Sequence, residues 1–225
     1  MPVLVLVAAA CARSPAPAPP VSLTKSPSAH GAAVNPANIK RIGHELPPGY
    51  EVTTGVPSAA SPRVTWRLEP GAGPIEAKPP ECATLADPGD GHDQSAQGIS
   101  GSGSGGIVDA VVVSLPGLPR PLALDHNVVA ACGQWTMVAG RTTVSVRLTD
   151  APRIGGAETL GMVADVRTSV ESGTEIDSRA YTFTAYLGDY YAFTTLITDP
   201  GSALPALPPQ FAADLLVKTV ALLRG

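Results

Sequence analysis

The spacing of apolar positions changes several times along the chain, and each change predicts an element. Ile39, Ile42 and Leu46 recur at helical spacing behind Asn35 and Pro36, a good N-cap followed by a residue suited to the first helical position. Pro47, Pro48 and Gly49 should end that helix. The stretch "VTWRL" (64–68) reads as a short strand. "KPPECATLADP" holds a short helix begun by Pro80 and closed at Asp87 before Pro88, with Cys82 near its start. After the polar loop "GDGHDQSA", the segment "GISGSGSGGIVDAVVVSL" reads as a glycine-rich strand or hairpin that leads into a buried strand, because Ile107–Leu115 is rich in β-branched residues.

The second half is more regular. Two apolar runs meet at Gly140 and Arg141, and beyond them Val144, Val146 and Leu148 alternate with Ser145, Arg147 and Thr149, which predicts a hairpin. In 157–171, Leu160, Val163, Ala164 and Val170 fall on one helical face behind Gly155-Gly156, so a helix is expected there. "IDSRAYTFTAYLGDYYAFTTLIT" alternates around Gly188-Asp189, a two-residue turn with glycine first. That turn would pair Tyr181 with Leu196, Phe183 with Thr194 and Leu187 with Tyr190 on one face. Tyr186 and Tyr191 would pair on the other, near Phe193. Last, Phe211, Leu215, Leu216, Val220 and Leu223 outline an amphipathic helix begun by prolines, which should pack on the sheet. Strands joined mostly by hairpins, with helices at the start, middle and end, predict one α+β domain with a largely antiparallel sheet.

The N-terminus follows another pattern. Residues 3–10, "VLVLVAAA", are too few to span a bilayer, which takes about 20 apolar residues, but they match the late part of a signal peptide. Ala8, Ala9 and Ala10 directly before Cys11 resemble a bacterial lipobox, where small side chains admit the processing peptidase and the thiol accepts a diacylglyceryl group. The customary leucine is replaced by Ala8 and no basic segment precedes the oily run, so the true start is expected upstream. A buried strand that happens to hold a cysteine is the competing reading. Residues 12–34 are rich in Pro, Ala and Ser with almost no large apolar side chain, the composition of a tether that does not fold. The expected organisation is therefore a signal segment over 1–10, a lipidated tether over 11–34 and a globular domain over 35–225.

With 225 residues, a net charge of -4 and only 15% charged residues, the chain has no basic field that would gather nucleic acid. Its three cysteines make an odd number, which the lipidation of Cys11 accounts for. Cys82 and Cys132 are then expected to be oxidised to a disulfide outside the membrane, closing a loop of about 50 residues worth roughly 4 kcal/mol in the chain-entropy account. The alternative is a nucleophilic thiol with a histidine partner.

Catalytic and metal signals are weak. His30, His44, His92 and His126 show no His-x-x-His, His-Glu-x-x-His or Cys-x-x-Cys spacing, and Asp90, His92 and Asp93 read as a solvated loop rather than a metal site. The glycine-serine run lacks the Gly-Lys-Ser/Thr and the following helix that a phosphate cradle needs. No Gly-x-Ser-x-Gly elbow is present and the carboxylates are scattered. Tyr186, Tyr191, Phe193 and Trp135 remain: core residues if a helix covers them, the lining of an apolar ligand groove if the face is bare.

The lipobox, the Pro/Ala tether, "LPPGYEV", "PPECATLADP", "GSGSGGIVDAVV", "CGQWTM" and the closing helix resemble a group of mycobacterial lipoproteins of unknown function. That group is similar in layout to the extracellular sensor domain of a mycobacterial serine/threonine kinase of the PknH type. The resemblance implies an α+β domain with an antiparallel sheet and a cleft for ligands. The kinase domain carries two disulfides where this chain, with Cys11 used, forms one, so no binding residue carries over.

The expected protein is a cell-envelope lipoprotein, anchored to the outer face of the cell membrane by lipid. It would be no enzyme and hold no metal or cofactor, and its domain would bind a small apolar molecule or an envelope protein. A structural or assembly role through protein contact is the alternative, and a hydrolase the more distant one.

Overall fold

In the computed structural model the described residues are 33–56, 60–68 and 74–225. The expected signal segment, Cys11 and nearly all of the expected tether lie outside them. Nine strands form one antiparallel sheet: β1 (Glu51–Thr53), β2 (Glu76–Lys78), β3 (Ser95–Gly103), β4 (Gly106–Ser114), β5 (Gln134–Ala139), β6 (Thr142–Thr149), β7 (Glu158–Ser169), β8 (Glu175–Tyr186) and β9 (Tyr190–Thr198). Their spatial order is β1-β3-β4-β9-β8-β7-β6-β5-β2, so among the long strands only the β4–β9 neighbours are not consecutive in the chain, and the three-residue strands β1 and β2 close the two edges. The α+β class with an antiparallel sheet is what the alternating patterns predicted.

The two hairpins read from the sequence form in the expected register. Ala139 faces Thr142 across Gly140-Arg141, and Tyr181, Phe183 and Tyr186 face Leu196, Thr194 and Tyr191. Gly188 has φ +78°, while Asp189 keeps a negative φ; this is the left-handed first turn position that glycine occupies without a Cβ penalty. The glycine-serine run is the β3–β4 hairpin. At Gly98 a Cβ would lie 2.5 Å from the Ala110 carbonyl oxygen, so the neighbouring strand has room only for hydrogen there.

Two expectations fail. Residues 158–169 are strand β7, not a helix. Leu160, Gly161, Met162, Val163, Ala164 and Val166 are all buried, so the strand is apolar on both faces and helical spacing can be traced through it as easily as alternation. Pairing with β6 and β8 along its length decides the matter. Residues 64–68 are likewise no strand: Pro62–Thr65 is one helical turn, α1, with proline in its first position, and the chain then turns so that Trp66 and Leu68 enter the core.

One sheet face is half covered. The 3-10 helix Pro36–Glu45 and the C-terminal helix α4 (Pro209–Leu223) lie over β3, β4, β9 and β8. In a 3-10 helix residues three apart eclipse, which explains why Ile39 and Ile42 are both buried. The Asn35 side chain accepts from the Ala37 amide at 3.1 Å as the expected cap. Asn35 N–H and the Asn38 side-chain amide donate to the carbonyls of Leu223 and Leu222, so the first helix satisfies the free end of the last. The other face is covered by α1, by the 3-10 turn Pro80–Cys82 running into α2 (Ala83–Ala86), and by α3 (His126–Ala131).

Candidate functional site

On this second face Cys82 and Cys132 are joined in a disulfide, with their Cα atoms 5.6 Å apart and both sulfurs buried. The bond ties the start of α2 to the end of α3, and a pocket of about 310 Å³ opens beside it. Leu85 and Pro88 form one wall, Val128 of α3 another, and Leu122 and Ala123 of the preceding loop a third. Tyr186, at the end of β8, completes the lining. The loop wall is held to the sheet: Leu122 N–H donates to Gly188 O at 2.8 Å, and Leu115 N–H to Asp189 O at 2.9 Å, so the β8–β9 turn braces it.

Polar groups at the mouth are mostly engaged. The Asp125 carboxylate caps α3 by accepting from Asn127 N–H at 2.9 Å and Val128 N–H at 3.3 Å. The Thr84 hydroxyl donates to the Glu81 carbonyl. Nearby, Glu158 accepts from Leu124 N–H at 3.0 Å and pairs with His126 Nε2 at 2.7 Å, and these bonds hold its carboxyl below the usual glutamate value. Tyr186 differs. It is 94% buried by its 6% exposure, and burial, helped by the Glu158 charge, pushes its hydroxyl well up with no hydrogen bond to offset the effect. Its phenol is thus a neutral group without a partner among the described residues.

The four aromatics singled out from the sequence do not form one open patch. Tyr186 and Tyr191 are cross-strand partners, and Tyr191 and Phe193 stack with ring centroids 6.2 Å apart. Trp135 sits on β5, opposite Val146 and three strands from β8. All four are buried, and of them only Tyr186 borders this pocket. Tyr191 is covered by Ala60 and the α1 segment, where Arg63 meets the buried carboxylate of Asp87 at 2.6 Å. Burial still leaves the Asp87 carboxyl above its ordinary value, the Arg63 charge only partly opposing this. Asp90, His92 and Asp93 form no metal site, and among the described residues no three His, Cys, Asp or Glu side chains gather to hold a metal ion. Glu81, Leu85, Leu122 and Val128 carry no motif. The signal that could have found them is the Cys82–Cys132 pairing, which brings "PPECATLADP" against "LDHN".

Two larger depressions, about 490 and 400 Å³, lie on the bare half of the first face, with Trp135 at the edge of the larger. Their charges are largely spent on each other: Arg179 donates to Asp165 at 2.5 Å and Arg167 to Asp177 at 3.0 Å. Lined by charges that pair with each other, this surface is less suited to an apolar small molecule than the smaller pocket, whose walls are mainly apolar.

Fold and pocket define a disulfide-tied α+β domain with a small cavity between its cap and its sheet. The chain belongs to the family described as a domain of unknown function (DUF5642), which it matches over residues 35–224. Its fold is similar to that of an uncharacterized protein from Mycobacterium smegmatis, the Rv0999 ortholog, at 18% identity and a TM-score of 0.61, over 85% of this chain and 98% of that one. The extracellular domain of PknH from Mycobacterium tuberculosis is matched more loosely, at 13% identity and a TM-score of 0.39, over 84% of this chain and 93% of that one. No curated protein matches by sequence. The expected membership of a family of unknown function is thus found, and the fold is shared with a mycobacterial protein.

Proposed function

We propose that this chain is an extracytoplasmic lipoprotein whose domain binds a small, mainly apolar molecule beside Tyr186 and does no chemistry on it. The observation that carries the reading is the pocket itself: apolar walls from two helices cross-linked by a disulfide, lined also by a tyrosine hydroxyl without a partner. Its volume is near the lower end of the range for small-ligand sites, which run from about 300 to 1,000 Å³. A disulfide in this position supports an oxidising compartment, and the "AAAC" segment supports a diacylglyceryl anchor on Cys11 that holds the domain to the outer membrane face.

Native mass spectrometry of protein released gently from its own cells tests the binding. A discrete adduct lost when Leu85→Trp fills the pocket is expected; an adduct indifferent to that change overturns the reading. The anchor is tested separately by phase partition in detergent, where wild type should enter the detergent phase and Cys11→Ser the aqueous one. A second reading, docking of an envelope protein, has one observation in its favour, the bare polar half-face across β5 to β8. Cross-linking on intact cells that recovered a single partner through Arg147 or Arg167 would favour it.

A further inference from the structure

The mouth of the Tyr186 pocket is acidic. Of its lining residues, Glu81 and Asp125 carry negative charge and none carries positive charge. A third carboxylate, Glu158, is close enough to Tyr186 for its charge to be felt at the phenol. Asp125 keeps its charge while capping α3, since the backbone amides it accepts from are neutral. Arg120, two residues before Leu122, is not among the lining residues. Arg63 is paired with Asp87 at 2.6 Å and does not line the pocket. His126 is mostly exposed and turned to Glu158, away from the lining.

An apolar pocket edged by carboxylates and one free phenol is matched by a particular kind of guest. Resting on the binding role proposed above, we infer that the pocket selects molecules with an apolar body and a protonated amine at the exposed end, and disfavours the same body ending in a carboxylate. The amine would sit between Glu81 and Asp125, in the field of Glu158 behind Tyr186, with the hydrocarbon against Leu85, Leu122 and Val128. The Tyr186 hydroxyl is free to accept a hydrogen bond from the ammonium or to donate to a neutral oxygen on the guest. An anionic head there would meet like charges with no donor but that phenol to compensate.

Octylamine, octanol and octanoate share one chain and differ in head charge, so they separate charge from hydrophobic burial. Titrations of the disulfide-intact protein, followed by amide chemical shifts at about pH 8, keep the amine protonated. The expected order is octylamine, then octanol, then octanoate, with octylamine roughly tenfold tighter than octanoate at low salt and the gap narrowing as salt rises. Shifts should centre on Leu122, Ala123 and Val128, and Glu81→Gln, an exposed change, should narrow the gap several-fold. Equal affinities, or octanoate binding best, with shifts at those same amides overturns the charge selectivity and leaves the pocket intact. If all three miss those amides, both the selectivity and the pocket reading fall.

Discussion

At the scale of single residues, Tyr186 separates binding from stability. Its ring is packed in the core but its hydroxyl has no partner, so Tyr186→Phe removes a polar group that folding does not use. Urea unfolding should move by less than about 0.5 kcal/mol, while affinity for an octyl probe that bonds the phenol drops a few-fold. A loss of more than about 2 kcal/mol of stability would instead assign the hydroxyl a structural bond.

Asp109 tests the opposite situation, a charge the fold tolerates poorly. It sits in β4 facing Ser100 and Thr195 across the strands, and burial raises its carboxyl above the ordinary 3.8 despite a bond from Ser100. An acid raised in the folded state favours folding below its unfolded value and loses that contribution as pH climbs through the folded one. Wild-type stability should therefore decline from about pH 4 toward neutrality by an amount that Asp109→Asn reduces. Glu158 acts in the reverse sense: its contribution is present above the ordinary 4.5 and fades only as pH falls through its lowered value. Parallel pH curves for wild type and Asp109→Asn would falsify this assignment.

Among elements, the disulfide and the C-terminal helix do most to organise the faces of the sheet. Replacing both Cys82 and Cys132 with serine reopens a loop of about 50 residues, and a loss of about 4 kcal/mol is expected in chemical denaturation. The same variant should lose octyl-probe binding before it loses the β-sheet circular dichroism, because the bond joins two pocket walls rather than two strands. Leu216 of α4 is fully buried against the sheet, and Leu216→Ala should cost about 2–5 kcal/mol through the cavity left behind. The elements also show where a linear pattern misleads. The Gly188 hairpin was legible because its turn chemistry and its alternation agree. β7 was not, because burial on both faces removes the polar positions that distinguish a period of two from one of 3.6.

For the whole molecule, the asymmetric covering of the sheet sets what can bind where. α4 and the first 3-10 helix cover one half of one face, and three short helical pieces cover the other face. The aromatic residues on β8 and β9 lie beneath those coverings, so Tyr191 and Phe193 are core residues rather than the groove lining that a bare face would have made of them. What the covering leaves is a narrower space at the rim of the cap. Ending the chain after Pro208 would remove α4 and bare Phe183, Ala185 and Leu196, and the truncated protein should aggregate at concentrations where the full chain is soluble; a soluble, folded product would contradict the packing described.

The chain by itself determined what depends on near neighbours: caps and prolines that start the helices, turns with glycine in the left-handed position, alternating strands, and a cysteine pair outside the N-terminal segment. Those features arise from backbone sterics and local hydrogen bonding, which act over a few residues. Only the tertiary structure decided that 158–169 is a strand, that Trp66 turns inward, and that Glu81 and Asp125 meet at one opening. These outcomes depend on which distant surfaces bury each other, and the contacts that settle them join residues with no mark in the local pattern.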